Sequence, residues 1–120
     1  MMKKIYRKDW PFLEKSNSCV LKRELNLLIS HSTFLKAFHG HLPTNMDDRW
    51  LILEEDGRFH FFRSWTGKCI AIINYFEEDR HIRLSEIMLD PDASSTLNSE
   101  QITNDIISVF EFHFGNVTGR

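Results

Sequence analysis

Apolar and polar positions are patterned most clearly over residues 50–63, WLILEEDGRFHFFR, where two apolar runs flank Asp56 and Gly57. An Asp-Gly pair in that setting signals a two-residue hairpin turn, because both central residues accept positive φ. The turn sets a register that pairs Glu55 with Arg58, Leu53 with His60, Ile52 with Phe61 and Trp50 with Arg63. One face then carries Trp50, Ile52, Phe59 and Phe61, and the other Leu51, Leu53 and Phe62. Both faces are apolar, so the hairpin is expected to be covered on both sides or to lie at the sheet centre. KCIAIINYF and HIRLSEIML predict a third and a fourth strand joined by the charged turn at residues 77–80. In the fourth, Ile82, Leu84 and Met88 point inward while Arg83 and Ser85 point outward, which reads as an edge.

The flanks are read by helical period. Leu21, Leu25, Leu28 and Ile29 make one helical stripe, but Leu25, Leu27 and Ile29 also alternate, so helix and strand both stand for residues 20–29. A short helix is expected from Ser32 as N-cap to Gly40, burying Phe34, Leu35 and Phe38. Pro11 interrupts any regular element in the first 18 residues. DPDASSTLNSEQ reads as a solvated loop. A last helix starts near Asn98, with Gln101 three residues on, and carries Ile102, Ile106, Val109, Phe110 and His113 on one stripe up to Gly115. The expected fold is α+β over residues 1–120, one domain. Its four-stranded antiparallel meander sheet has N-terminal helices and a C-terminal helix packed on it.

A chain of 120 residues with 42% hydrophobic and 12% aromatic residues builds one core. The net charge of −2 argues against a nucleic-acid binder, which needs a basic surface. Charge is uneven, however. Lys3, Lys4, Arg7, Lys8, Lys15, Lys22 and Arg23 make the start basic, while Glu86, Asp90, Asp92, Glu100, Asp105 and Glu111 make the end acidic. Two solvated faces of opposite sign are expected, a polarity that can steer a charged partner. No apolar run follows the first lysines and none approaches a membrane span of about 20 residues, so neither a signal peptide nor a membrane contact is expected. Cys19 and Cys69 form no CxxC pair, which fits a reduced, cytoplasmic protein without cofactor.

The densest candidate chemistry is Arg63, Ser64, Trp65, Thr66 and Gly67, after the hairpin. Arg63, opposite Trp50, is placed for cation–π stacking, and Asp47 and Asp48 lie at the same end. These residues could form a structural clasp of Arg63 with a carboxylate. The clasp is the leading expectation; the alternative is a ligand site, with a planar anion-binding fork, two hydroxyls and two flat rings. MDDRWLILEEDGRFHFFRSWTGKCI resembles a segment of small bacterial proteins of unassigned function that share an acidic pair, a Trp and Phe-x-Arg-Ser-Trp-Thr-Gly. The likeness covers residues 46–70. It implies that Asp47, Asp48, Trp50, Arg63, Ser64, Trp65, Thr66 and Gly67 act as a unit, suggests a link to ADP-ribose-processing domains, and implies no activity.

Elsewhere the chemistry is thin. His39 and His41 form an HxH pair with His31 upstream, but they straddle a helix stop, so a polar loop is expected and no metal site. His60 and His113 lie on apolar stripes and read as core histidines. GxSxG, HExxH and P-loop motifs are absent, which leaves Asp47 and Asp48 as the general-base candidates. The leading expectation is a small binding or regulatory protein of the immunity-protein or antitoxin type, acting on one protein partner. The alternative is a nucleotide- or ADP-ribose-like ligand-binding module, or a hydrolase of such a ligand, centred on Arg63 and the nearby tryptophans. A concave pocket at the Trp50 end of the hairpin would favour the second, and a flat patch the first.

Overall fold

The computed structural model describes residues 3–10, 12–94 and 98–119, so Pro11 and part of the 90–101 loop lie outside the described residues. The hairpin forms in the expected register: β2 (Trp50–Glu55) pairs antiparallel with β3 (Arg58–Arg63), Glu55 opposite Arg58 and Trp50 opposite Arg63. Asp56 and Gly57 take φ of 57° and 76°, as a tight hairpin turn requires. β4 (Cys69–Glu78) and β5 (His81–Leu89) complete the antiparallel meander.

The sheet nevertheless has five strands, not four. Residues Leu21–Ser30 form β1, and the strand order is β1-β5-β4-β3-β2. Strand β5 is therefore internal rather than an edge. Its partner residues are Leu27 opposite Leu84 and Ile29 opposite Ile82, so the two-residue alternation at 25, 27 and 29 prevails over the helical stripe. The outward residue that suggested an edge, Arg83, faces Leu28 across the pair, binds Glu78 and donates to the Asn26 side chain. A bulge between Glu24 and Leu27 accommodates Asn26 at φ 55°, a conformation Asn tolerates.

The N-terminal helices reduce to one, α1 (His31–His39), plus short 3-10 turns at Arg7–Asp9 and Ser16–Ser18. Its N-cap is Ser30 rather than Ser32, because the Ser30 hydroxyl accepts from the Thr33 N–H at 3.1 Å. That phase leaves Leu35 exposed and buries Thr33 and Ala37 instead. The C-terminal helix α2 (Ser99–Phe114) starts at the expected Asn98 cap, whose side chain accepts from the Gln101 N–H at 2.7 Å, and stops at Gly115.

Both helices lie on one face of the sheet, in a core with Ile29, Ile52, Phe59, Phe61, Ile73, Leu84 and Phe110. The other face carries Leu51, Leu53, Phe62, Cys69 and Ile72, covered by Ile5, Trp10, Leu13 and Cys19 of the N-terminal segment and by Leu42. The segment is pinned at several points. Lys4 Nζ reaches the Phe38 carbonyl at 3.1 Å and the Glu54 carboxylate at 3.1 Å, and Arg7 pairs with Glu55 at 2.9 Å. The Glu14 N–H donates to the Gly67 carbonyl at 2.8 Å. Gly67 sits at φ 73°, and a Cβ there would fall 1.8 Å from the Phe12 carbonyl oxygen, so only glycine permits this crossing.

Phe110 is fully buried, 5.5 Å from Phe59 and 5.1 Å from Phe114 between ring centroids. Phe110→Ala is expected to cost about 3–5 kcal/mol in a denaturant titration. A loss under about 1 kcal/mol would show that α2 does not seal the core.

Candidate functional site

The cluster at residues 63–67 divides on inspection of its contacts. Ser64 is buried: its N–H donates to the Arg49 carbonyl at 2.9 Å and its hydroxyl to the Asp48 carbonyl at 2.9 Å. Thr66 accepts from the Lys68 N–H at 3.2 Å, and the Gly67 N–H returns to the Arg63 carbonyl at 2.8 Å. These residues build the corner. Trp65, by contrast, is 74% exposed. Arg63 stacks on Trp50, its guanidinium carbon 4.4 Å from the ring centroid. Neither Asp47 nor Asp48 pairs with it, and among the described residues no carboxylate does. The charge clasp is therefore not formed.

Asp48 is instead held by the loop between α1 and β2. Its N–H bonds to Asn45, its carboxylate accepts from the N–H groups of Thr44 at 3.3 Å and Trp50 at 3.4 Å, and it meets His41 Nε2 at 2.6 Å. His41 is itself fixed by a two-way backbone bridge to Ile52, at 2.8 and 3.0 Å, which extends the sheet edge by one residue. On the last turn of α2, His113 lays its ring on that of His41, with centroids 3.8 Å apart and planes 29° apart. His41, Asp48 and His113 thus offer ligand atoms that all lie within 4.8 Å of one another. His39, the other half of the HxH pair, points elsewhere, its ring against Phe38.

These residues adjoin an open cleft of about 550 Å³ between the loop and α2. Thr44, Asn45, Asp47, Asp48, Arg49 and Trp50 form one wall, and Ser108, Val109, Phe112 and His113 the other. Its size falls in the range of small-molecule sites, roughly 300–1,000 Å³. A second open cavity, of about 630 Å³, lies beside the opposite face of the sheet. There Arg7 is occupied by Glu55, and His60 Nδ1 by the Ser16 hydroxyl at 2.8 Å. The first cleft is the one that holds Trp50, Asp47 and Asp48.

Electrostatics separate the members of the cluster. Burial alone would raise the Asp48 carboxyl, but the His41 hydrogen bond and charge, with the two N–H donors, hold it below its ordinary value. Burial, and then the neighbouring His41, push the His113 imidazole below its ordinary 6.5, against a weaker pull from Asp48. The Arg63 guanidinium is lowered by burial and next by the nearby positive charge of Arg49.

The chain matches no protein-family model, no curated protein and no solved structure. Sequence reasoning placed Asp47, Asp48 and Trp50 in the site and missed Arg49, Phe112 and the pairing of His41 with His113. His113 belongs to the core stripe of α2 only in part: its ring is half-buried and turned to the loop. The two cysteines, distant in sequence, are buried free thiols whose sulfurs stand 3.5 Å apart. Among the described residues, no helix is long and apolar enough to cross a membrane.

Ser64→Ala should cost about 1–3 kcal/mol by denaturant titration, because the Asp48 carbonyl loses a buried donor. An unchanged midpoint would show that the corner does not anchor the loop. For His113 the folded value lies below the unfolded one, so its contribution is complete above about pH 6.5 and is lost as pH falls through the folded value. Melting temperatures taken with a chelator present should therefore decline below that pH in the wild type and less so in His113→Gln. Parallel pH profiles would remove His113 as the cause.

Proposed function

We propose that the cleft binds a small anionic ligand with a flat ring, of the nucleotide or ADP-ribose kind. The observation that supports it is the arrangement of Trp50, Arg63 and Arg49. Trp50 forms part of the cleft wall and lies against the Arg63 guanidinium, which has no carboxylate partner among the described residues, while Arg49 lines the same wall. Two like charges held this close, each able to donate in a fork, favour an anion between or beside them. The indole supplies a stacking surface for a base, and Thr44 on the same wall supplies a hydroxyl for a sugar. The Asp48 carboxylate on the same wall is directed to His41 rather than to either arginine.

A second reading has its own observation. Met46, Trp65 and Phe112 are 80%, 74% and 84% exposed, and all border the same loop or cleft. An immunity-type or regulatory protein acting on one macromolecular partner would use such a rim. The concavity favours the small ligand over the partner, because a docking face would be flatter.

Calorimetric titration with AMP, ADP and ADP-ribose tests the proposal on wild type and Arg63→Ala. Saturable binding by at least one of them is expected, weakened at least about tenfold in the variant. Melting should change little, since the lost stacking is worth about 0.5–1 kcal/mol. No binding of any of the three, or equal binding by the variant, would overturn the assignment.

A further inference from the structure

We propose that His41, Asp48 and His113 form a divalent transition-metal site in the cleft wall, with two imidazole nitrogens and one carboxylate oxygen as protein ligands. Two nitrogens and one oxygen match the donor set of open zinc sites, in which three protein groups leave a further position for water or a substrate atom. Asp48 and His113 both line the cleft, so that position lies on its side. The site goes beyond the anionic-ligand reading and does not depend on it.

Three structural observations carry the assignment. Two ligands come from the loop between α1 and β2 and one from α2, each fixed for its own reason: His41 by its backbone bridge to Ile52, Asp48 by the turn at Asn45, and His113 by its helix. Their convergence is tertiary, and their ligand atoms span no more than 4.8 Å. In addition, His113 is half-buried and its ring makes no hydrogen bond among the described residues, so a nitrogen remains for a ligand beside a carboxylate.

Metal binding requires two local changes. Tetrahedral Zn²⁺ with bonds of about 2.0–2.1 Å sets its ligand atoms about 3.3 Å apart. The 2.6 Å contact between His41 Nε2 and Asp48 Oδ2 would widen accordingly. The cation binds between those two atoms, and a neutral His41 ligates through Nε2 in the tautomer that carries its single proton on Nδ1. Stacked rings hold their in-plane lone pairs side by side, so His113 must turn about its Cβ–Cγ bond for its nitrogen to converge.

The test is a Co²⁺ and Zn²⁺ titration of the full, chelator-stripped chain, followed by absorption spectroscopy and calorimetry, in wild type and His113→Gln. We expect one equivalent bound, a low-coordinate cobalt spectrum without sulfur-to-metal charge transfer, and affinity at least about tenfold weaker in the variant. Absence of saturable binding would overturn the site, as would equal affinity in a folded variant. A charge-transfer band would overturn it too, by placing the metal at Cys19 and Cys69. If His113→Gln does not fold, histidine side-chain NMR of the wild type during the Zn²⁺ titration decides. Selective perturbation of His41 and His113 supports the site, and perturbation of other histidines alone overturns it. Failure of nucleotide binding leaves each of these readouts intact, so the two proposals fail separately.

Discussion

A sheet that is apolar on both faces must be covered on both, and this requirement organises the molecule. Leu51, Leu53, Phe62 and Ile72 face one way, while Ile52, Phe59, Phe61 and Ile73 face the other. Burial of apolar side chains drives both layers at roughly 25 cal/mol per Å². The two helices supply one cover. The other is an irregular segment, which has few hydrogen bonds of its own and so needs external anchors. Lys4 to Glu54, Arg7 to Glu55, Trp10 Nε1 to the Ser64 carbonyl, and Glu14 to Gly67 provide them. The missing side chain at Gly67 lets the two backbones cross.

That anchoring changes the meaning of the charge pattern. The basic start is partly neutralised by the acidic end of β2, and on the acidic side Asp90 is buried with Lys68 Nζ at 3.3 Å. Charges that look like two solvated faces in the sequence are in part internal fastenings. Arg49 on the cleft wall and Arg63 against Trp50 take part in none of these pairs.

The same loop serves fold and site. Asp48 closes it through Asn45, Thr44 and Trp50, while the carbonyls of Asp48 and Arg49 are held by Ser64. A carboxylate so placed is ionised and oriented before any ligand arrives. Pre-arrangement of this kind lowers the ordering cost of binding. It also explains why Ser64, though adjacent to Arg63 and Trp65, contributes rigidity rather than a free hydroxyl.

The sequence by itself determined the local elements: the Asp56-Gly57 hairpin and its register, the four-strand meander, the Asn98 cap and Gly115 stop of α2. Each rests on interactions between near neighbours, where period and turn chemistry suffice. For residues 21–30 local periods two and 3.6 both fit, and the choice fell to β5, which needed an antiparallel partner for Ile82 and Leu84. The corner residues Asp48, Trp50 and Arg63 were legible as neighbours because the hairpin register brings them to one end. Their partners were not. His41 reaches Asp48 through a loop with no periodicity, and His113 arrives from a helix whose rotation is set by Phe110 in the core. Such pairings depend on where packed elements come to rest, so only the tertiary structure decided them.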